Sequence, residues 1–401
     1  MVPADVSDFR ILARRRLPRF LFEYIDGGAF AETTLQRNVE DLRGLSVRQR
    51  VLRDVSDIDL SCDLFGRRAS MPVALAPIGL AGLYARRGEV QAARAADAAG
   101  VPFTMSTVAG CSIEEVTARV SNPIWFQLYM IRDRGFMTDL LARAKAAGVT
   151  TLLLTVDLPV SSTRYRDIRT GLANGYGPLA QLGRMMQVVQ KPGWAWDVGV
   201  HGRPHALGNV AGVMPPGTGL GGFFDWVAAN YDPRVTWADI DWIRQNWNGR
   251  LVLKGVLDPE DARTAVASGA DGLVVSNHGG RQLDGAPSTI SALPAIAEAV
   301  DRRFTVLMDS GVRSGLDVIR AIACGADGVL MGRAWAYALA AQGQKGVERM
   351  LQGIRAEMLV AMALIGETRI SGLDRSILAD QPAAAHAQPA HKPVSQRTAV
   401  S

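Results

Sequence analysis

Cysteine is almost absent from this chain. Three residues in 401, Cys62, Cys111 and Cys324, are scattered and never form a Cys-x-x-Cys pair. That excludes a disulfide framework and a cysteine-based zinc site, and it fits a reducing compartment. Long apolar runs are missing too. The longest, from Met71 to Tyr84, is interrupted by Pro72, Pro77, Gly79 and Gly82. It is too short to cross a bilayer, so any membrane contact is expected to be peripheral. The start, Met-Val-Pro-Ala-Asp, meets charge before any apolar stretch, and no export signal is expected. Charge of one sign is not concentrated either: 44 Lys and Arg stand against 39 Asp and Glu. The clusters Arg14-Arg15-Arg16 and Arg48-Gln49-Arg50 carry no interleaved aromatics, so nucleic acid is not an expected partner. A pI near 9.3 still suits anionic substrates or lipid headgroups.

What the chain does have is alternation. Apolar strand candidates fall at 73–77, 103–107, 124–129, 152–157, 251–256, 273–276, 305–309 and 329–332. Between them lie Ala-, Leu- and Arg-rich helical stretches, several opened by Ser112 or Asp258 and closed by Gly100, Gly148, Gly269 or Gly325. Strand after helix in this rhythm predicts an α/β fold, a (β/α)8 TIM barrel, with helical turns over residues 8–53 as an N-terminal extension. A doubly wound sheet is the alternative, but no Gly-x-Gly-x-x-Gly follows the first strand. One domain is expected over residues 1–375. The Ala-, Pro- and Gln-rich end, 376–401, has little to bury and is expected to be disordered; His386 and His391 there are poor metal candidates, and no metal is expected.

One interval breaks the rhythm, an insertion over about 171–235 after the fourth strand. Met185, Met186, Val188 and Val189 stand there beside Arg184, Lys191, Trp194 and Trp196. That composition suits either a membrane-contact segment or a lid packed on its own barrel.

The densest chemistry is Ser276-Asn277-His278-Gly279-Gly280-Arg281-Gln282-Leu283-Asp284-Gly285-Ala286-Pro287, directly after the apolar Gly272-Leu273-Val274-Val275. Histidine offers a base that titrates near neutrality, arginine a planar fork for a carboxylate, and the glycines a close backbone approach. A lone His-x-x-Arg is more often a plain surface loop, so the other strand ends decide. They agree: Gln127-Leu128-Tyr129, Thr155-Val156-Asp157 with Arg164 beyond, Lys254-Gly255, Asp309-Ser310-Gly311-Val312-Arg313 and Met331-Gly332-Arg333 all end apolar runs in polar groups. Barrels bind phosphate at the loops after strands seven and eight, where Arg313 and Arg333 fall. Lys254 would set a cation beside a cofactor ring.

The Ser276–Asp284 stretch resembles the signature of the FMN-dependent L-2-hydroxy-acid oxidising enzymes. Tyr24-Ile25-Asp26-Gly27-Gly28-Ala29, Ala76-Pro77-Ile78-Gly79, Trp125-Phe126-Gln127-Leu128-Tyr129 and the 309–313 loop carry the likeness further. The resemblance implies that Ala76, Pro77, Ile78, Ser106, Gln127, Thr155, Lys254, Asp309, Ser310, Gly311, Arg313, Gly332 and Arg333 hold FMN. It implies that Tyr24, Tyr129, Arg164 and Arg281 hold the substrate, an L-2-hydroxy acid, and that His278 is the base, oriented by Asp157. LAGLYARRGE at 80–89, WAWDVG at 194–199 and His201-Gly202-Arg203-Pro204-His205 are similar to the family's respiratory L-lactate branch. That closer likeness implies quinone as acceptor, a peripheral seat on the cytoplasmic face of the inner membrane and a homotetramer. Ala109-Gly110 departs from the family pattern and is expected to widen the pocket, keeping L-mandelate open as a substrate and an oxidase open as the activity. An FMN-barrel isomerase of prenyl diphosphates and a non-enzymatic binding barrel are the more distant alternatives.

Overall fold

The computed structural model describes residues 1–172, 177–202, 207–214 and 220–379. Residues 173–176, residues 203–206 with His205, the Gly/Pro-rich 215–219 and the terminal 380–401 lie outside the described residues. Eight parallel strands form the expected barrel: β1 (Val73–Leu75), β2 (Thr104–Ser106), β3 (Trp125–Tyr129), β4 (Thr151–Thr155), β5 (Arg250–Val256), β6 (Gly272–Val275), β7 (Thr305–Met308) and β8 (Gly328–Met331). Neighbours pair in chain order from β2 to β8, β8 pairs β1, and a parallel bridge between Leu75 and Phe103 closes the ring.

Side chains alternate along a strand, so each strand serves two cores. Val73, Leu75, Phe126, Leu128, Leu152, Leu154, Leu251, Leu253, Leu273 and Val275 face outward and pack with the helices. Ala74, Trp125, Leu153, Val252, Val274, Leu307 and Leu330 fill the interior. A short hairpin, Cys62–Leu64 with Arg67–Ala69, plugs the lower end. Its Phe65 meets Trp125 edge-on, ring centroids 5.5 Å apart. Two residues further up each strand, the same inward register holds Ala76, Ser106, Gln127, Thr155, Lys254, Ser276, Asp309 and Gly332. On β3 to β7 the barrel interior therefore turns from apolar to polar between one inward position and the next.

Three helices, Val6–Arg16, Arg19–Asp26 and Thr33–Gly44, make the N-terminal extension. The last long helix, Arg333–Ile365, breaks at Gln342 and Gly343, where Gly343 has φ +62°, into two helices. The packed chain continues past residue 375: the Arg48 amide donates to the Ile377 carbonyl at 2.7 Å and the Ala379 amide to Ser46 at 2.9 Å.

The insertion does two things. Its outer part, helix Pro178–Val189 and the turns Pro192–Trp194 and Ala195–Val200, is bolted to the barrel by Trp194, whose indole donates to the Leu83 carbonyl at 2.8 Å. Leu182, Met185, Met186, Val189, Trp196 and Val200 there are each more than 50% exposed. Its inner part, helix Leu220–Asn230, returns over the barrel mouth, and Asp232 donates its amide to Met130 at 3.0 Å. No described helix is long and apolar enough to cross a membrane.

Asp26 ties the extension to the barrel. Its carboxylate accepts from Arg10 at 2.5 Å, Arg166 at 2.8 Å and the Tyr337 hydroxyl at 2.7 Å. Burial alone would raise its pKa, but Arg10 and Tyr337 hold it down at about 2. A depressed carboxyl stabilises the fold above its unfolded value near 4 and loses that contribution as pH falls through 2, here about 2 kcal/mol. Asp26→Asn should therefore lose stability at neutral pH, and its deficit against the parent should shrink by about that amount between pH 4 and 2. Urea midpoints measured across that range check it.

Candidate active site

The polar register at the top of the barrel is bonded in two groups. Ser106 donates to Gln127 Oε1 at 3.0 Å, and Gln127 Nε2 donates to Thr155 Oγ1 at 2.9 Å. Lys254 Nζ reaches Ser276 Oγ at 2.9 Å and Asp309 Oδ2 at 2.8 Å. Burial would lower the Lys254 ammonium, but Asp309 and Asp157 raise it above its ordinary value, so the cation persists at neutral pH.

From β6 the chain enters three consecutive left-handed residues, His278, Gly279 and Gly280, with φ +58°, +69° and +71°. For histidine that conformation costs about 1–2 kcal/mol, so the surroundings must impose it. Ser276 Oγ accepts the His278 amide at 3.1 Å, and Ser310 Oγ accepts the Gly279 amide at 2.9 Å. A Cβ on Gly280 would stand 2.6 Å from the Leu35 nitrogen, which leaves no room for a side chain. The turn aims His278 Nδ1 at Asp157 Oδ1, 3.0 Å away. Asp157 would be raised by burial; the facing imidazole and Lys254 bring it below its usual value and keep it ionised.

Two guanidinium groups stand over the Tyr24 ring, Arg281 at 4.8 Å and Arg164 at 5.6 Å from its centroid. Arg281 Nη1 donates to the carbonyls of Tyr24 and Gly27 at 2.6 and 3.0 Å. Arg164 is pushed below its ordinary pKa by burial and by Arg281; its Nη1 donates to Asp167 Oδ2 at 3.4 Å, and its buried Nε has no acceptor among the described residues. Two neighbouring part-buried cations with a spare donor make a site that an anion completes. Tyr129 lies alongside, its hydroxyl raised by burial, and stacks on Tyr231 with centroids 4.8 Å apart.

Thr155, Lys254, His278, Asp309, the two guanidinium groups and the two tyrosines share one cavity of about 400 Å³, within the range of cofactor sites. Tyr24, Tyr129, Arg164, His278 and Arg281 line it together with Ala76, Pro77, Ile78, Thr155, Lys254, Asp309, Ser310, Gly311, Arg313, Gly332 and Arg333. Three expected residues sit behind the wall. Asp157 backs His278, while Ser106 and Gln127, 2% and 1% exposed, brace Thr155. Arg333 lines the cavity but spends donors on the carbonyls of Ile25, Gly27 and Gly279 at 2.8–2.9 Å, and burial lowers it to about 9. The small pair Ala109-Gly110 does not widen the pocket: Gly110 packs against Glu89 and Gly82, and Val108 faces the cavity instead.

The sequence reading missed Leu158, Asp167, Val227, Ala228 and Tyr231, which also line the cavity. The only local signal for Tyr231 is an aromatic ahead of an Asp-Pro turn. Its place on Tyr129 depends on the path of the whole insertion.

Fold and site define a barrel enzyme for an anionic substrate, with backbone and guanidinium groups set for a phosphorylated cofactor. The chain belongs to the FMN-dependent dehydrogenase family, whose profile matches residues 13–380, and FMN is its cofactor. An L-lactate dehydrogenase of Caulobacter sp. (strain K31) is 62% identical over 379 residues, 94% of this chain and 99% of that one. One from Stenotrophomonas maltophilia (strain R551-3) is 57% identical over 95% of this chain and all of its own. Among solved structures, the monotopic membrane protein (S)-mandelate dehydrogenase superposes with TM-score 0.87 at 35% identity, covering 95% of this chain and 100% of that one. A mandelate oxidase with (S)-4-hydroxymandelic acid gives TM-score 0.80 at 39% identity, covering 92% of this chain and 97% of that one.

If the two guanidinium groups form the anion clamp, Arg281→Lys should keep FMN yet weaken carboxylate binding by at least about tenfold, since an ammonium cannot make the forked contact. A flavin-absorbance titration with oxalate measures it. Unchanged affinity would remove Arg281 from the clamp.

Proposed function

We propose that the protein oxidises L-lactate to pyruvate with FMN and passes the electrons to membrane quinone. The observation that carries the chemistry is His278 paired with Asp157 on the wall of the cavity that also holds Arg164 and Arg281. The choice of lactate rests on full-length relatives of that name at 57–62% identity.

In this reading Arg164 and Arg281 grip the substrate carboxylate, and Tyr24 and Tyr129 orient its hydroxyl end. His278 accepts a proton from the substrate, and the ionised Asp157 at Nδ1 stabilises the imidazolium that results. Bound FMN supplies the two-electron acceptor. Ala76, Pro77, Ile78, Thr155, Lys254, the 309–313 loop, Gly332 and Arg333 would hold it, with Ser106 and Gln127 fixing Thr155 from behind. Those groups suit it: the cavity pairs an apolar wall with a buried cation, and its glycine turn and guanidinium groups match a phosphate. A second substrate reading, L-mandelate, is favoured by the structural likeness to mandelate-oxidising enzymes.

The exposed Leu182, Met185, Met186, Val189 and Trp196, next to Arg184 and Lys191, support a peripheral seat on a membrane, which this reading places on the cytoplasmic face of the inner membrane, where quinone is reached. Exposed Val51, Leu52, Val360 and Leu364, on segments joined by the Arg50 amide and the Leu364 carbonyl at 2.9 Å, support a contact between copies of the chain, which this reading takes to build a homotetramer.

Anaerobic stopped-flow mixing tests the function. L-lactate should bleach the flavin faster than L-mandelate or other L-2-hydroxy acids, and no bleaching by any of them would sink the reading. His278→Gln should keep the yellow colour and lose flavin reduction by at least about a thousandfold. Replacing Met185, Met186, Val189 and Trp196 by serine should release the enzyme from lipid vesicles while sparing turnover with a soluble dye; continued sedimentation with lipid would discard the anchor.

A further inference from the structure

The left-handed turn that aims His278 is held from outside the barrel by one side chain of the N-terminal extension. Asn38 lies on helix Thr33–Gly44, 1% exposed, and faces Asn277 in a reciprocal amide pair. Asn38 Nδ2 donates to Asn277 Oδ1 at 2.9 Å, and Asn277 Nδ2 returns to Asn38 Oδ1 at 2.7 Å. Asn277 Oδ1 also accepts the Gly280 amide at 3.0 Å, so the pair clamps both ends of the His278–Gly280 turn. Asn38 Oδ1 takes a further amide, that of Thr289, at 3.3 Å. Thr289 in turn donates its hydroxyl to the Asp309 carbonyl at 2.6 Å. The Asn38 backbone closes on the same loop, since a Cβ on Gly311 would stand 2.0 Å from its carbonyl oxygen. Ser310 and Gly311, like the histidine turn, are left-handed, with φ +72° and +90°.

Two loops that carry five positive-φ residues are thus joined through one residue, Asn38, which does not line the cavity. We infer that Asn38 is the positioning residue for the catalytic base: it fixes the strained backbone of the His278 turn without binding substrate or FMN. The geometry explains why both members are amides. Each donates and accepts at once, and only a side chain with both functions satisfies a buried partner of the same kind. Removing the donor leaves Asn277 Oδ1 with the Gly280 amide alone and sets two acceptors against each other. The turn then relaxes toward ordinary φ, and the imidazole leaves its line with Asp157. This inference rests on the proposed role of His278 as base.

The test is Asn38→Asp, which keeps the shape and the acceptor and loses the donor, compared with Thr34→Val. Thr34 sits on the same helix and bonds the Ala286 carbonyl at 3.0 Å, outside the His278 turn. FMN content, oxalate affinity and the limiting rate of flavin reduction by L-lactate are read for each, with His278→Gln in parallel. Asn38→Asp should bind FMN fully and oxalate within twofold of the parent, with the reduction rate at least about tenfold lower; Thr34→Val should match the parent. A parent-like rate in Asn38→Asp beside an inert His278→Gln overturns the inference alone. Equal losses in Asn38→Asp and Thr34→Val, or loss of FMN from Asn38→Asp, also overturn it, since Asn38 would then serve the fold at large. An active His278→Gln overturns the base assignment and this inference with it.

Discussion

A closed ring of parallel strands has one mouth at which every strand ends, and side-chain alternation decides what arrives there. In this chain the inward register is apolar up to Ala74, Leu153, Val252, Val274, Leu307 and Leu330, then changes two residues later to Thr155, Lys254, Ser276 and Asp309. No loop has to carry these groups to one place, because the register does it. A shift of one residue in any strand would exchange a polar mouth group for an outward apolar one and expose both cores to error.

The mouth is an electrostatic balance completed by its ligands. Lys254 and Asp309 neutralise each other at 2.8 Å, and Asp157 is kept ionised opposite His278. Arg164 and Arg281, by contrast, repel one another with Asp167, 3.4 Å from Arg164, as a single counter-charge, and Arg164 keeps a buried donor without an acceptor among the described residues. Arg333 is lowered by burial, with Arg281 and Arg313 adding to the effect. Two surpluses of positive charge remain on one cavity, one beside Tyr24 and one at the glycine loops. A carboxylate and a phosphate are the anions whose geometry matches forked donors and backbone turns.

The barrel was legible because its signals are local. Eight apolar runs bounded by Gly, Pro or polar residues mark eight strands, and the residues that end them are the ones the structure gathers. The closing hairpin Cys62–Ala69 was not legible, since its two strands have three residues each and no apolar run. Tyr231 and Asn38 escaped for a different reason: they act on Tyr129 and Asn277 across 102 and 239 residues of chain, and no spacing encodes such a meeting. The insertion was ambiguous between anchor and lid because both composition patterns are present, one on 178–200 and one on 220–231. Ser106 and Gln127 are bonded to each other and, through Gln127, to Thr155, and alternation alone does not tell a residue that faces a ligand from one that braces its neighbour.

The central claim is that one carboxylate, held by Arg164 and Arg281, presents its 2-position to His278 inside an FMN-bearing barrel. A crystal structure of the FMN-loaded protein with pyruvate tests it most directly. The account predicts the carboxylate oxygens within about 3 Å of both guanidinium groups and the 2-oxo oxygen facing the free nitrogen of His278. Pyruvate bound instead at the 309–313 loop, or beyond the reach of His278, would contradict it.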